Sequence, residues 1–364
     1  MLQPFIEQLL SGVSLAPPQV AEAVAALVEE KISAETKAEF LIALARKGET
    51  TEEIAAFACE LRDRSLTPPL DAETRAREIL DVCGTGGDRL KTFNISTTVA
   101  IIAAAAGVTV AKHGNRAITS EAGSADVLEA LGIRIDLEPE DAARCLGEHQ
   151  FAFLFAPQYH PAFKHLGPAR RLCAQQGQRT IFNFLGPLLN PARPSAQLVG
   201  VPQPQLCEPI ASVLRSLHVR RVLVVSGRVE SQVQGPNSQA PAAAAAYLDE
   251  FSTLGENTVA EFYQDRGFAL SVLSPDNFPV QPATLADLAG GTPQSNAAIV
   301  RGLLTGKNRG PKRDAVLLNA AAALLVAGKA RSLTEGWQMA AELIDRGAAQ
   351  AKLAELAAYG NSAR

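Results

Sequence analysis

Three short segments of this chain carry residue types and spacings that suit the binding of a polyanion. The first, Gly84-Thr85-Gly86-Gly87-Asp88, follows the apolar run 79–83. Glycines let the backbone turn left-handed and let a ligand approach the amides, and several such N–H groups can converge on one anion. Alone, this run is a weak signal, since a glycine-rich run after a strand is more often a plain turn. The second, Asn94-Ile95-Ser96-Thr97, stands just before a helix predicted over residues 97–106. Its polar side chains can cap that helix, and the same position aims free N–H groups and the positive end of the helix dipole at a phosphate. The third, Lys112-His113-Gly114-Asn115-Arg116, comes after the β-prone run 108–111 and sets two full positive charges and two further donors around a glycine. Thr119, Ser120 and Ser124 add hydroxyls. Together the three segments suit a ligand with several phosphate groups.

The elements that must position them follow from hydrophobic periodicity. Residues 20–31, 38–46 and 51–62 repeat apolar residues at helical spacing, with Thr50 and Thr51 as N-cap candidates. Leu66-Thr67-Pro68-Pro69 is a stiff connection and a boundary. Beyond it, the short apolar runs 79–83, 108–111, 151–155 and 219–225 alternate with helical stretches, the pattern of an α/β domain with a mostly parallel central sheet. The expected organisation is a small helical domain over residues 1–68 and an α/β domain over 69–364. Residues 230–246 run through Gln, Gly, Pro, Asn and Ser into five alanines and read as a surface insertion, bounded at about 229–246. Residues 314–327 are apolar nearly all round, as in a buried helix, and Ser332-Leu333-Thr334-Glu335 is a capping box.

Bulk properties narrow the function. The chain has 364 residues, 47% of them hydrophobic, which is enough for a sizeable core and two domains. A net charge of -4 argues against general nucleic-acid binding. The start of the chain lacks the basic and apolar regions of a signal peptide, and the apolar stretches 98–110 and 315–327 are too short to span a bilayer. No membrane partner is expected, and the location reads as cytoplasmic. The five cysteines are widely spaced with no C-x-x-C pair, so they read as reduced core residues.

The combination of GTGGD, NIST and KHGNR, followed by Gly123-Ser124-Ala125-Asp126-Val127-Leu128-Glu129, resembles the anthranilate phosphoribosyltransferases. The likeness runs through nearly the whole chain: Lys47-Gly48-Glu49-Thr50 near the start, Arg179-Thr180-Ile181-Phe182-Asn183 with Asn190-Pro191 in the middle, and Asn319-Ala320-Ala321 with Glu335-Gly336 towards the end. The resemblance implies transfer of a phosphoribosyl group from phosphoribosyl diphosphate (PRPP) to the amine of anthranilate, in tryptophan biosynthesis. It also implies a nucleoside phosphorylase-like fold, a Mg2+ cofactor, a homodimer, and helices near 160–180 that complete the helical domain. By resemblance the donor contacts are Gly84, Gly87, Asp88, Thr92, Asn94, Ile95, Ser96, Thr97, Lys112, His113, Gly114, Asn115, Arg116, Ser120 and Ser124. Gly84, Asn115 and Arg170 would face anthranilate, with His113, His160 and Phe163 lining its path. Ser96, Asp249 and Glu250 would hold the metal.

Two departures from the family pattern leave alternatives open. The acidic pair normally follows soon after the strand that ends at Val225, and here the 230–246 stretch intervenes, so Glu230 rivals Asp249 and Glu250. About three residues are added between Arg170 and Arg179, so Arg171 rivals Arg170. A substituted anthranilate could be the acceptor, and His113 could serve only to hydrogen-bond the backbone. Two rival functions share the scaffold: a pyrimidine nucleoside phosphorylase and a non-catalytic nucleic-acid binder.

Overall fold

The structure is a computed structural model and describes residues 1–117, 121–230, 245–264 and 266–362. Among the described residues, eight strands form one sheet: β1 (Ile79–Gly84), β2 (Thr109–Gly114), β3 (Phe151–Phe155), β4 (Ala196–Gly200), β5 (Arg221–Val229), β6 (Ala246–Leu248), β7 (Asn257–Tyr263) and β8 (Gly267–Leu273). Their order is β3-β2-β1-β4-β5-β7-β8, with β6 paired to β5. The five strands from β3 to β5 run parallel. β6, β7 and β8 add antiparallel pairs at one end. This is the α/β fold expected from the sequence. β1 lies between β2 and β4, so the strand order reverses there. Such a reversal opens a crevice beyond the carboxyl ends of the strands, the usual ligand site of open α/β sheets. The β1–β4 register runs to Gly84 opposite Gly200, so two glycines stand at that crevice.

Helix Ile95–Ala105 connects β1 to β2 and is buried along almost its whole length. Helix Pro311–Val326 packs against it and is apolar on nearly every side. Between them lies the main core, closed by Phe151 and Phe153 of β3 and by Leu223 and Val225 of β5.

Helices Gln3–Leu10, Pro17–Val28, Ala34–Lys47 and Thr51–Asp63 form the amino-terminal bundle around Val24, Phe40, Leu44 and Phe57. The Lys47 to Thr50 motif explains itself here. Thr50 caps the fourth helix and Glu53 closes the capping box. Glu53 also accepts the Leu15 N–H at 2.8 Å and pairs with Lys47 at 2.6 Å, almost wholly out of water. Removing one member of such a buried pair costs about 3–5 kcal/mol. Helix Gly167–Gln175 packs on Ala34–Lys47. Buried side chains from Leu166, Ala169 and Cys173 join the bundle's core to helix Cys207–Ser216 and to one face of the sheet.

Several expectations need correction. β2 runs through Gly114, so Lys112, His113 and Gly114 lie within the strand, not after it. β4 and β6 to β8 were not expected as strands. β4 is only five residues long and carries Gln197, whose buried amide donates to the Pro187 carbonyl at 2.9 Å. β8 is an edge strand with Leu270 and Val272 exposed, so it lacks the burial alternation that marks a strand. The greater part of the 229–246 insertion lies outside the described residues, and so does Ser120.

Candidate functional site

At the carboxyl end of β1 the chain enters the 84–88 loop, with Gly86 and Gly87 at φ of 72° and 102°. These are left-handed values that only glycine adopts freely. Across the crevice Asp249 reaches the loop, and its Oδ2 accepts the Gly86 N–H at 2.7 Å. The fit is tight: a Cβ on Gly84 would collide with the Asp249 carboxylate, and one on Gly200 with the Asp249 carbonyl. The next residue, Glu250, accepts the Ser96 N–H at the start of helix Ile95–Ala105, at 3.1 Å. Glu230 lies elsewhere. It is exposed at the end of β5, its N–H donating to the Leu254 carbonyl. The geometry thus brings Asp249 and Glu250, not Glu230, to the glycine loop.

Desolvation at the floor of the crevice, then the charges of Asp88 and Glu250, raises the Asp249 carboxyl well above its ordinary value. Desolvation pushes Glu250 up to about 7, with Lys112 opposing the shift. Lys112 is itself buried; its ammonium donates to the Val82 carbonyl and to the Ser96 hydroxyl, the latter at 3.3 Å. Two adjacent desolvated carboxylates beside a serine hydroxyl form a hard oxygen set. A divalent cation would relieve the cost of keeping them charged there. Among the described residues no group of three or more His, Cys, Asp or Glu forms a ready metal cage.

Further along, Asp88 accepts the Leu90 N–H within the loop. Thr92 bridges to Ala289, and the Phe93 N–H donates to the Leu288 carbonyl. Asn94 heads the helix without a side-chain cap bond; Ile95 is buried, and Thr97 carries a buried hydroxyl with no protein partner. Thr85, inside the glycine loop, has another such hydroxyl. These orphaned oxygens sit on the two segments that the sequence marks for phosphate. Gly114 lets Ser124 and Phe153 close over β2; a Cβ there would strike both. Ser124 donates to the Asn115 carbonyl at 3.4 Å. Arg116 does not stand as a free cation, since its guanidinium is held by Asp126 at 3.0 Å and Glu129 at 2.8 Å.

The opposite wall is built from rings. His113 Nδ1 faces the Gly186 carbonyl at 3.3 Å, and its Nε2 lies 3.2 Å from His160 Nε2. The His160 ring stacks on Phe163 at 4.9 Å, and Phe163 meets Phe182 edge-on at 5.9 Å. Arg170 lies over Phe182, 5.2 Å from the ring centre, a cation–π geometry. Burial lowers the guanidinium's pKa. Arg171, by contrast, is exposed. Burial, and next His160, brings His113 down to about 3. Burial likewise brings His160 down to about 4. Both imidazoles are therefore neutral at pH 7.

Four residues here escape a reading of the sequence. Asp81, wholly buried in β1, has its carboxylate accepting the His113 N–H at 3.3 Å and the Asn190 amide at 2.8 Å. Burial pushes its carboxyl up to about 6, against the pull of Lys112. A lone Asp inside a buried apolar run is the available signal. Phe182 lies inside a quoted motif that assigns it no role. Arg179 approaches Gly87 and, with Asp88, Gln203 and Tyr247, lines a polar crevice of about 420 Å³. Asn296 lies on a helix that no motif singles out.

Comparison with known proteins fits this arrangement. Residues 76–350 match the α/β domain model of a glycosyl transferase family, and residues 3–65 match that family's helical bundle domain. The chain belongs to this glycosyl transferase family. Within it, the curated relative from Moorella thermoacetica, an anthranilate phosphoribosyltransferase, is 44% identical over 364 residues, covering 100% of this chain and 99% of the relative. The crystal structure of the anthranilate phosphoribosyltransferase from Thermus thermophilus superposes with a TM-score of 0.83 at 38% identity, covering 98% of this chain and 99% of that one. The enzyme of the same name from Saccharomyces cerevisiae, in complex with PRPP and Mg, superposes at 0.84 with 26% identity, over 99% and 98% of the two chains. The chain is a member of the anthranilate phosphoribosyltransferase family.

Proposed function

We propose that the crevice at β1 and β4 holds PRPP against its glycine loop and anthranilate against its ring wall. The enzyme transfers the phosphoribosyl group to the amine of anthranilate, giving N-(5-phosphoribosyl)anthranilate and diphosphate, a step of tryptophan biosynthesis. The observation that supports this division of the site is the convergence of the 84–88 loop, the Ser96 N–H and the Asp249-Glu250 pair on one edge of the crevice. The relatives' shared name favours the transferase over a nucleoside phosphorylase.

The proposed roles follow from the chemistry. As the bond from the anomeric carbon to diphosphate breaks and the new C–N bond forms, positive charge builds on the sugar and negative charge on the leaving group. Backbone N–H groups of the 84–88 loop and of the helix start, other than those of Gly86 and Ser96 that Asp249 and Glu250 hold, receive the phosphates. Asn94, Thr97, Lys112 and Ser124 add donors, while Thr92, Ile95 and Gly114 shape the wall. Asp249, Glu250 and the Ser96 hydroxyl would hold Mg2+, which when bound would supply positive charge beside the departing diphosphate. Arg116 serves through the Asp126 and Glu129 pairs that fix its loop. No protein nucleophile is needed. An aniline-type amine is uncharged at pH 7, so it attacks without prior deprotonation, and the cationic nitrogen formed with the C–N bond then releases its extra proton to the departing diphosphate or to water. Arg170 receives the anthranilate carboxylate with its planar fork. Neutral His113 and His160, with Phe163, Asn115 and Gly84, position the ring. Holding both substrates in line lowers the entropic barrier.

The same proposal includes a helical domain ending near residue 68, a homodimer formed on that domain, where Leu10 and Val13 are exposed, and a cytoplasmic location with the charged substrates. No helix of the described residues is long and apolar enough to cross a membrane. The test is anthranilate fluorescence in the presence of PRPP, with Mg2+ or with chelator. Loss of fluorescence only with PRPP and Mg2+, matched by diphosphate release, is the expected result. Phosphorolysis of thymidine or uridine with no anthranilate consumption would overturn the proposal.

A further inference from the structure

We infer that Asn296 is a positioning residue for the donor site, acting by fixing which end of the Asn94 amide faces the phosphates. The inference rests on the reading that Asn94 contacts PRPP. It starts from a backbone group whose polarity cannot be reversed. The Gly291 N–H donates to Asn296 Oδ1 at 2.8 Å. A backbone N–H can only donate, so Asn296 must turn its carbonyl towards Gly291 and its NH2 the other way. That NH2 donates to Asn94 Oδ1 at 2.8 Å. With its oxygen engaged, Asn94 has only its own NH2 left to offer. In the structure this group reaches the Ala122 carbonyl at a longer 3.3 Å. Asn94 is thereby set as a donor at the head of helix Ile95–Ala105, the polarity that an anion requires.

The relay is built into the fold at both ends. Asn296 is buried in the first turns of helix Pro293–Leu304, which Thr292 caps by accepting the Ser295 N–H. The segment before that helix lies flush on the donor loop. Thr92 bridges to Ala289, the Gly290 N–H donates to the Lys91 carbonyl at 2.9 Å, and a Cβ on Gly290 would come within 2.8 Å of Phe93 Cα. Glycine at 290 is what allows this contact. The backbone beside the relay, at Lys91 to Phe93 and Ala289 to Gly290, therefore fixes the distance between its two asparagines. Asn296 is buried and engaged by protein groups, so it acts on the ligand only through Asn94.

A double-mutant cycle tests this, with KM for PRPP and for anthranilate read in Asn94→Ala, Asn296→Ala and the pair. The expected result is that each single variant raises KM for PRPP by roughly tenfold, about one charge-assisted hydrogen bond. The pair should be no worse than Asn94→Ala alone, and KM for anthranilate should stay unchanged. Asn296→Asp is the second probe. Its carboxylate still accepts from Gly291 but turns an oxygen towards Asn94, which must flip and present its own oxygen to the phosphates. KM for PRPP should then rise further than in Asn296→Ala, in a protein that melts as the parent does. Additive losses in the cycle, or an Asn296→Asp variant with unchanged KM for PRPP, would overturn the relay. No effect of Asn94→Ala would overturn the donor contact on which it rests.

Discussion

The two walls of the crevice are built by opposite means. The donor wall is backbone and charge: glycine amides, a helix start, and the Asp249-Glu250 pair braced by N–H groups from Gly86 and Ser96. The acceptor wall is rings and one half-buried arginine, carried on a helix that packs against the amino-terminal bundle. On the proposed reading, a polyanion would meet donors whose positions are fixed by the sheet, and a flat aromatic acid would meet a stacked pocket whose histidines are kept neutral by burial. The comparison predicts that damage to one wall changes the handling of one substrate.

The largest expected effect breaks the donor wall. Asp249→Asn together with Glu250→Gln should lower Mg2+-dependent turnover on the order of 10³-fold, the scale of losing stabilisation of a developing charge. Thermal stability should hold or rise, since two desolvated carboxylates held above their ordinary pKa are removed. Full activity in that variant would move the metal site away from this pair.

The same contrast decides what the sequence can show. Backbone recognition of phosphate demands glycines and small polar residues at fixed spacing, so the 84–88 loop and residues 94–97 are legible. Four of the five parallel strands, β1, β2, β3 and β5, are legible from their apolar runs, and β4 is not. Lys112 and His113 read as following the strand, because two polar residues look like the end of an apolar run. In fact β2 carries them inward, where Lys112 meets Val82 and Ser96 and the His113 backbone meets Asp81. Phe182 and Asn296 are illegible as site residues. Each acts through a contact between distant segments, Phe182 with Arg170 and Asn296 with Asn94, and no local pattern encodes such a contact. Asp249 and Glu250 emerge only through likeness to a family, because the inserted stretch moves them along the chain.

A smaller effect sharpens the comparison at its seam. Gly200→Ala should destabilise the protein by about 1–3 kcal/mol, the usual cost of overpacking, because the new Cβ meets the Asp249 carbonyl. Denaturant melts with and without Mg2+ would show it. KM for PRPP should rise more than KM for anthranilate.

The smallest effect concerns the ring wall and pH. His160 titrates at about 4 in the folded chain and near 6.5 when unfolded. As pH falls below 6.5 the unfolded chain binds a proton that the native state refuses, so stability is lost on acidification towards 4. His160→Phe should abolish this share. Relative to the parent, it should gain on the order of 1–2 kcal/mol between pH 7 and pH 5. Thermal melts at the two pH values check this.

The division of the site into two walls is tested most directly by steady-state kinetics of Arg170→Gln with both substrates varied. KM for anthranilate should rise by at least about tenfold, the loss of one bidentate charged pair, while KM for PRPP stays within roughly twofold of the parent. An equal rise in both constants, or an unchanged KM for anthranilate, would contradict the account.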